Sequence, residues 1–151
     1  MALEIRVAAR GDLEQLTPLV DGYRQFYQQE ADPPGARAFQ EQRAANQESV
    51  VLLALDADET AAAVGFIQLY ASFDTVDLAS VWILHDLFVT PAYRRRGVAR
   101  ALMRAAADFC RASGAARIDL STAVDNVPAQ ALYHDLGYQR DAAFYHYSLS
   151  L

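Results

Sequence analysis

The sequence predicts an α/β (α+β) fold, a mixed sheet packed by helices, and three observations carry that expectation. Apolar residues recur at every second position in some stretches and at every third or fourth in others, the periods of strands and helices. The stretches follow one another in the order β-α-α-β-β-β-α-β-α-β, with no internal repeat or low-complexity segment. With 53% hydrophobic residues in 151, the chain has enough apolar material for one continuous core, so a single domain spanning 1–151 is expected.

Leu3, Ile5 and Val7 alternate with Glu4 and Arg6 as a half-buried first strand, which Gly11-Asp12 ends with a good helix N-cap. Leu13, Leu16, Leu19, Val20, Tyr23, Phe26 and Tyr27 mark one face of a helix over Leu13–Gln29, in which Pro18 predicts a kink or a later start. Ala31 to Gly35 is a break, and Ala36–Glu48 reads as a more polar helix. Ser49–Leu55 is a buried strand, the acidic run Asp56 to Thr60 a turn, and Ala63–Ser72 its hairpin partner. A further strand, Ser80–Val89, is stopped by Pro91. Gly97–Ser113 is strongly amphipathic, with Val98, Leu102, Ala105, Ala106 and Phe109 inward, and ends at Gly114. Ile118–Ala123 is a strand, Asn126–Leu136 a short helix closed by Gly137, and Tyr138–Leu151 one or two final strands.

Charge narrows the function classes. A net charge of -6 argues against a nucleic-acid partner, whose binding rests on neutralising phosphates; it mildly favours a cationic small molecule, but acidity that merely keeps the protein soluble accounts for it better on charge alone. The first residues carry Glu4, Arg6 and Arg10 and no long apolar run, which fits neither a signal peptide nor a membrane span and points to the cytoplasm. Cys110 has no cysteine partner and reads as a small buried hydrophobe in a helix. His134 and His146 lack companions at ligand spacing, so no metal is expected.

Chemistry concentrates in Leu87 to Arg100, where a strand turns through a basic, glycine-containing loop straight into a helix. Such a loop aims the N–H groups of the helix's first turn outward, a site for a phosphate anion. Gly97 permits close backbone approach, small Ala99 leaves room, and Arg94, Arg95 and Arg96 add charge that pairs with phosphate.

Arg94-x-x-Gly97-x-Ala99 resembles the pyrophosphate-binding signature of the GNAT superfamily of acyl-CoA N-acyltransferases. Asn126-x-x-Ala129-x-x-x-Tyr133-x-x-x-Gly137-Tyr138 is similar to that superfamily's second motif, and the two occur in the superfamily's order. The resemblance implies a mostly antiparallel sheet whose central strands splay apart, and acetyl-CoA as acyl donor. It implies that the backbone of Leu87, Phe88 and Val89 pairs with the pantetheine arm. The amides of Arg95, Arg96, Gly97, Val98, Ala99 and Arg100 would hold the pyrophosphate, and Asn126 would contact the coenzyme near its thiol. Tyr133 would protonate the leaving thiolate.

An amine acceptor is mostly protonated at neutral pH, and only the free amine attacks a thioester, so a base is required. His85 is the first candidate and Asp86 the second, the latter also suited to holding a cationic amine. Adjacent strand residues face opposite ways, so both serve only if a bulge reorients one. By the same resemblance Tyr23, Phe26 and Tyr27 lie on the helix that roofs the acceptor side, where aromatic faces suit a cation; helical core packing accounts for them equally. The run Phe144-Tyr145-His146-Tyr147 resembles tails of small-amine acetyltransferases, forming part of the acceptor pocket or a homodimer edge. The expected reaction is acetyl transfer to a primary amine, a small amine or polyamine, in a ternary complex. Two alternatives stay open: a protein lysine or N-terminus as acceptor, and a coenzyme-A-binding sensor without catalysis.

Overall fold

The computed structural model describes residues 1–59 and 61–151; Thr60, at the end of the expected acidic turn, lies outside the described residues. Nine regular elements follow in order: β1 (Leu3–Val7), α1 (Leu13–Phe26), α2 (Pro33–Ala45), β2 (Ser49–Asp56), β3 (Ala62–Asp74), β4 (Ala79–Val89), α3 (Val98–Ala112), β5 (Ile118–Leu120) and α4 (Val127–Asp135), all among the described residues. The chain divides into two compact units, Met1–Ser121 and Thr122–Leu151.

In the first unit the strands form one sheet in the order β1-β2-β3-β4-β5. The first three pairings are antiparallel and β4 with β5 is parallel, so the sheet is mixed and mostly antiparallel as expected. β5 pairs only with Trp82, Ile83 and Leu84, while β4 runs on to Val89. The β4–β5 ladder thus ends with β5 itself at Leu120, beside Leu84, and the expected splay of two strands is not part of this pairing. Phe66, Leu53, Ile67 and Leu69 are fully buried, each contributing roughly 1.5–3 kcal/mol through removal from water. On one face Leu16, Leu19 and Val20 of α1 pack with Phe66 and Phe88. On the other, α3 buries Val98, Leu102, Met103 and Ala106. Gly22 of α1 sits where an added Cβ would lie 3.0 Å from the Phe88 ring, which lets helix and strand approach closely.

Several boundaries move for physical reasons. α1 runs continuously through Pro18, in its second turn. α2 starts at Pro33 rather than Ala36, because Asp32 caps it by accepting from the Gly35 N–H at 3.0 Å and proline fits the first helical position. Asp12 precedes α1, yet its carboxylate does not cap the helix. It accepts two 2.7 Å bonds from the Arg6 guanidinium and one from the Ala9 N–H, which holds its pKa at about 2.

Two expectations near the C-terminus are corrected. β5 ends at Leu120 rather than Ala123, and Tyr138–Leu151 forms no strand. A lone extended segment makes no ladder, and its alternation alone cannot supply one. α4 is well closed: Asn126 Oδ1 accepts from the Ala129 N–H at 3.3 Å, and Gly137, at φ 92°, ends the helix with Tyr138 N–H donating to Tyr133 O at 3.0 Å.

Candidate functional site

The second half of β4 leads into a turn over Pro91–Tyr93 and then the arginine loop. Arg95 takes φ 61° and Gly97 φ 83°, two left-handed residues that curl the backbone around its own amides. Gly97 brings no side chain to cap α3. The first intrahelical bond is Ala101 N–H to Gly97 O at 3.0 Å, so the amides of Val98, Ala99 and Arg100 precede the ladder. The residues present therefore fit a phosphate group: a curled loop, a helix start without a side-chain cap and basic neighbours.

The three arginines divide. Arg94 donates from Nε to the Val89 carbonyl at 3.0 Å and lies over the Phe26 and Phe88 rings, each 5.6 Å away, tying the loop to the strand end. Arg96 sits over Tyr93 at 5.3 Å, while Tyr93 donates to Asp56 Oδ2 at 3.0 Å. Arg95 is exposed.

Upstream, the β3–β4 ladder slips by one residue: Gln68 pairs with Asp86 and Leu69 with Leu84. His85 is the extra residue of a β-bulge. Its side chain is 66% exposed, its ring meets Tyr70 edge-on at 5.5 Å, and Nδ1 lies 3.9 Å from Asp86 Oδ1. The bulge brings the imidazole and carboxylate to one place, which regular alternation forbids.

Asp86 is largely buried and anchored. Its Oδ2 accepts from Gln68 Nε2 at 2.8 Å, and Gln68 exchanges amide bonds with Gln40 of α2 at 3.0 and 3.1 Å. Ser49 donates to the same Gln68 oxygen at 2.9 Å. Gln40 and Gln68 are each 2% exposed, so this network spends its capacity internally. Burial, then the Asp86 charge, raises the pKa of the Tyr23 hydroxyl, which donates to the His85 carbonyl at 3.3 Å. Tyr70 is raised by the same two causes in the same order.

Asp86 forms part of the wall of a cavity of about 350 Å³ between α1, α2 and the sheet, with Tyr23, Arg24, Asp32, Phe39 and Gln68. Of the aromatic residues singled out in the sequence, only Tyr23 lines it. Tyr23 also contacts Tyr27, Phe66 and Phe88 edge-on, so core packing and cavity lining coexist in one ring. Phe26 and Tyr27 are half exposed, and Tyr145, in the second unit, is 89% exposed. A larger hollow of about 580 Å³ beside Ala8, Leu13 and Ala44 is lined by none of the residues chosen from sequence.

In the second unit, Tyr133 is half-buried on α4 and meets the Tyr138 ring at 6.0 Å. Asn126 uses its side-chain oxygen as the helix cap. Cys110 is buried, and burial pushes its thiol up to about 11, which suits packing and not nucleophilic work. Sequence reasoning missed Gln40, Gln68 and Tyr70. Gln68 left a signal, a lone amide inside the apolar run Phe66-Ile67-Gln68-Leu69.

Comparison with known proteins gives the family and the fold. The pattern of the acetyltransferase (GNAT) family matches residues 16–138. The chain is 40% identical over 149 residues to the Bacillus subtilis (strain 168) protein described as uncharacterized N-acetyltransferase YhfO, covering 99% of this chain and 98% of that protein. A crystal structure of a probable acetyltransferase is 40% identical with a TM-score of 0.92, over 98% of this chain and 97% of that one. Aminoglycoside N-acetyltransferase AAC(6')-Iy, solved with CoA, shares the fold at 22% identity and a TM-score of 0.82, over 99% of this chain and 96% of that one. The chain belongs to the GNAT family of acetyltransferases, and is an acyl-CoA-dependent N-acetyltransferase with acetyl-CoA as its acyl donor.

Proposed function

We propose that residues 1–151 act as one cytoplasmic N-acetyltransferase domain whose acceptor is a small primary amine or polyamine. The observation that carries this reading is the β-bulge at His85, whose next residue, Asp86, lines an aromatic, carboxylate-bearing cavity while the imidazole stands outside that lining. Its volume, about 350 Å³, suits a small molecule, and Asp86 with Tyr23 and Phe39 suits a cation.

In this reading the acceptor enters as an ammonium beside Asp86. His85, directly or through one water, takes the proton that must leave before attack. The free amine nitrogen forms a bond to the thioester carbonyl carbon. Collapse of the tetrahedral intermediate breaks the C–S bond and Tyr133 O–H protonates the departing thiolate, while the second proton on the attacking nitrogen leaves and restores the tyrosine hydroxyl through solvent, giving a neutral N-acetylated amine and free coenzyme A. The Arg95–Arg100 amides hold the pyrophosphate, Leu87–Val89 the pantetheine arm, and Asn126 supports the coenzyme end of α4. The enzyme works as a homodimer.

A thiol-release assay with acetyl-CoA tests the acceptor class against polyamines, aralkylamines, amino acids, aminoglycosides and a lysine peptide, with calorimetry of coenzyme binding alongside. Turnover with a small amine is expected. Turnover with the peptide alone, or tight coenzyme binding with no turnover on any acceptor, would remove the reading. His85→Ala should lower the rate at neutral pH by about 100-fold and least at high pH, where free amine is plentiful. An equal loss at every pH would exclude the base role.

A further inference from the structure

Gln68 stands where the strand pattern calls for an apolar residue. Phe66, Ile67 and Leu69 around it are fully buried, and Gln68 itself is buried as deeply. Burying an amide is costly unless its hydrogen bonds are made, and two apolar side chains of the same shape would hold Gln68 and its partner's positions about as well. Packing alone therefore does not account for the residue.

The amide is used to capacity. A glutamine side chain carries two N–H donors and an oxygen with two lone pairs. Gln68 Nε2 donates to Asp86 Oδ2 and to Gln40 Oε1, while its Oε1 accepts from Gln40 Nε2 and from Ser49 Oγ. The carboxylate decides the orientation of both amides, because a turned Gln68 would set its oxygen against the Asp86 oxygen, acceptor against acceptor. Ser49 of β2, Gln40 of α2 and Gln68 of β3 thus converge on one oxygen of Asp86 on β4. The other, Oδ1, accepts none of these bonds and lies on the His85 side. Gly35, Ala36 and Phe39 line the same cavity from α2, so the Gln40 bonds also tie that wall to the carboxylate. The other charged side chains of the wall are engaged elsewhere: Arg24 donates to the Glu30 carbonyl at 3.0 Å, and Asp32 caps α2.

We propose that Gln68, backed by Gln40, is the positioning residue of the acceptor site, holding Asp86 Oδ2 so that Oδ1 is presented to the acceptor's ammonium. This rests on the small-amine reading above and adds to it the residues that aim the carboxylate. Neither amide takes or gives a proton in the reaction. Both act through Asp86, so their loss appears in acceptor affinity and falls silent once Asp86 has lost its charge.

Calorimetry of spermidine binding to the full chain saturated with coenzyme A reads acceptor affinity without turnover, and a double-mutant cycle assigns it. Asp86→Asn and Gln68→Met should each weaken spermidine binding at least about tenfold, with coenzyme A affinity within about twofold of the parent. The Gln68→Met, Asp86→Asn double variant should bind spermidine as Asp86→Asn does. Gln40→Met removes the backing and keeps the Gln68 bond to Asp86; it should weaken binding by about threefold, and it carries the same cycle if Gln68→Met does not fold. Additive losses in the double variant, or a folded Gln68→Met chain that binds as the parent does, overturn the proposal and leave the small-amine reading standing. Failure of the parent to bind spermidine, or an Asp86→Asn chain that binds it as tightly as the parent, removes that reading and the proposal with it.

Discussion

The two motif-bearing segments each open a helix, and they open it differently. At α4, Asn126 caps the first turn and Gly137 closes the last, so the backbone is satisfied at both ends, and the proposed mechanism draws on a side chain there, Tyr133. At α3, Gly97 gives no side-chain cap, and the loop before it curls through two left-handed residues. In the proposed mechanism one motif contributes a hydroxyl and the other contributes amides. α1 and α2 frame the contrast: Asp32 caps its helix, while Asp12 turns its carboxylate to Arg6 instead.

The largest test breaks the open helix start. Gly97→Asp places a carboxylate where phosphate would sit, at a left-handed position, and should weaken acetyl-CoA binding at least ~100-fold by calorimetry. Next, Tyr133→Phe removes the offered hydroxyl while leaving both helix ends intact. Its kcat should fall by about 100-fold with acetyl-CoA affinity nearly unchanged, and equal losses in both would strip Tyr133 of the acid role. The capping side of the contrast is sharpened by Asn126→Ala, expected to cost about 1 kcal/mol and to speed hydrogen exchange at the Ala129 amide, with Asn126→Asp restoring it.

Asp12→Asn gives the smallest effect, and only over part of the pH range. The folded-state pKa is depressed from 3.8 to about 2, so the carboxylate's stabilisation is present above pH 3.8 and disappears as pH falls towards 2. Denaturant titration should find the variant less stable at pH 7 by on the order of 1–2 kcal/mol, allowing for the partly exposed Arg6, and equal to the parent near pH 2.

The order of elements was legible because each apolar stretch holds one period long enough to declare itself, most clearly Val98 to Phe109. The arginine loop was legible for a related reason: a glycine between a strand and a helix has few structural uses. The bulge at His85 was not, since a one-residue slip leaves composition and local period almost untouched, and only the pairing of Gln68 with Asp86 exposes it. Gln40 and Gln68 lie 28 residues apart and join through folding, beyond the reach of any local pattern. The tail misled for the opposite reason. Its alternation is real, but a strand needs a neighbour to pair with, and a single sequence does not name one.

The slip at His85 also bears on how such an enzyme changes over time. Leu84 and Asp86 keep adjacent partners, Leu69 and Gln68, so the ladder on either side counts as though position 85 were absent. Gain or loss of one codon there would leave every packed neighbour on its own face of the sheet. The imidazole is thus carried on a spliced-in unit, and the chemistry at this point of the strand can be exchanged by evolution or by design without renegotiating the core.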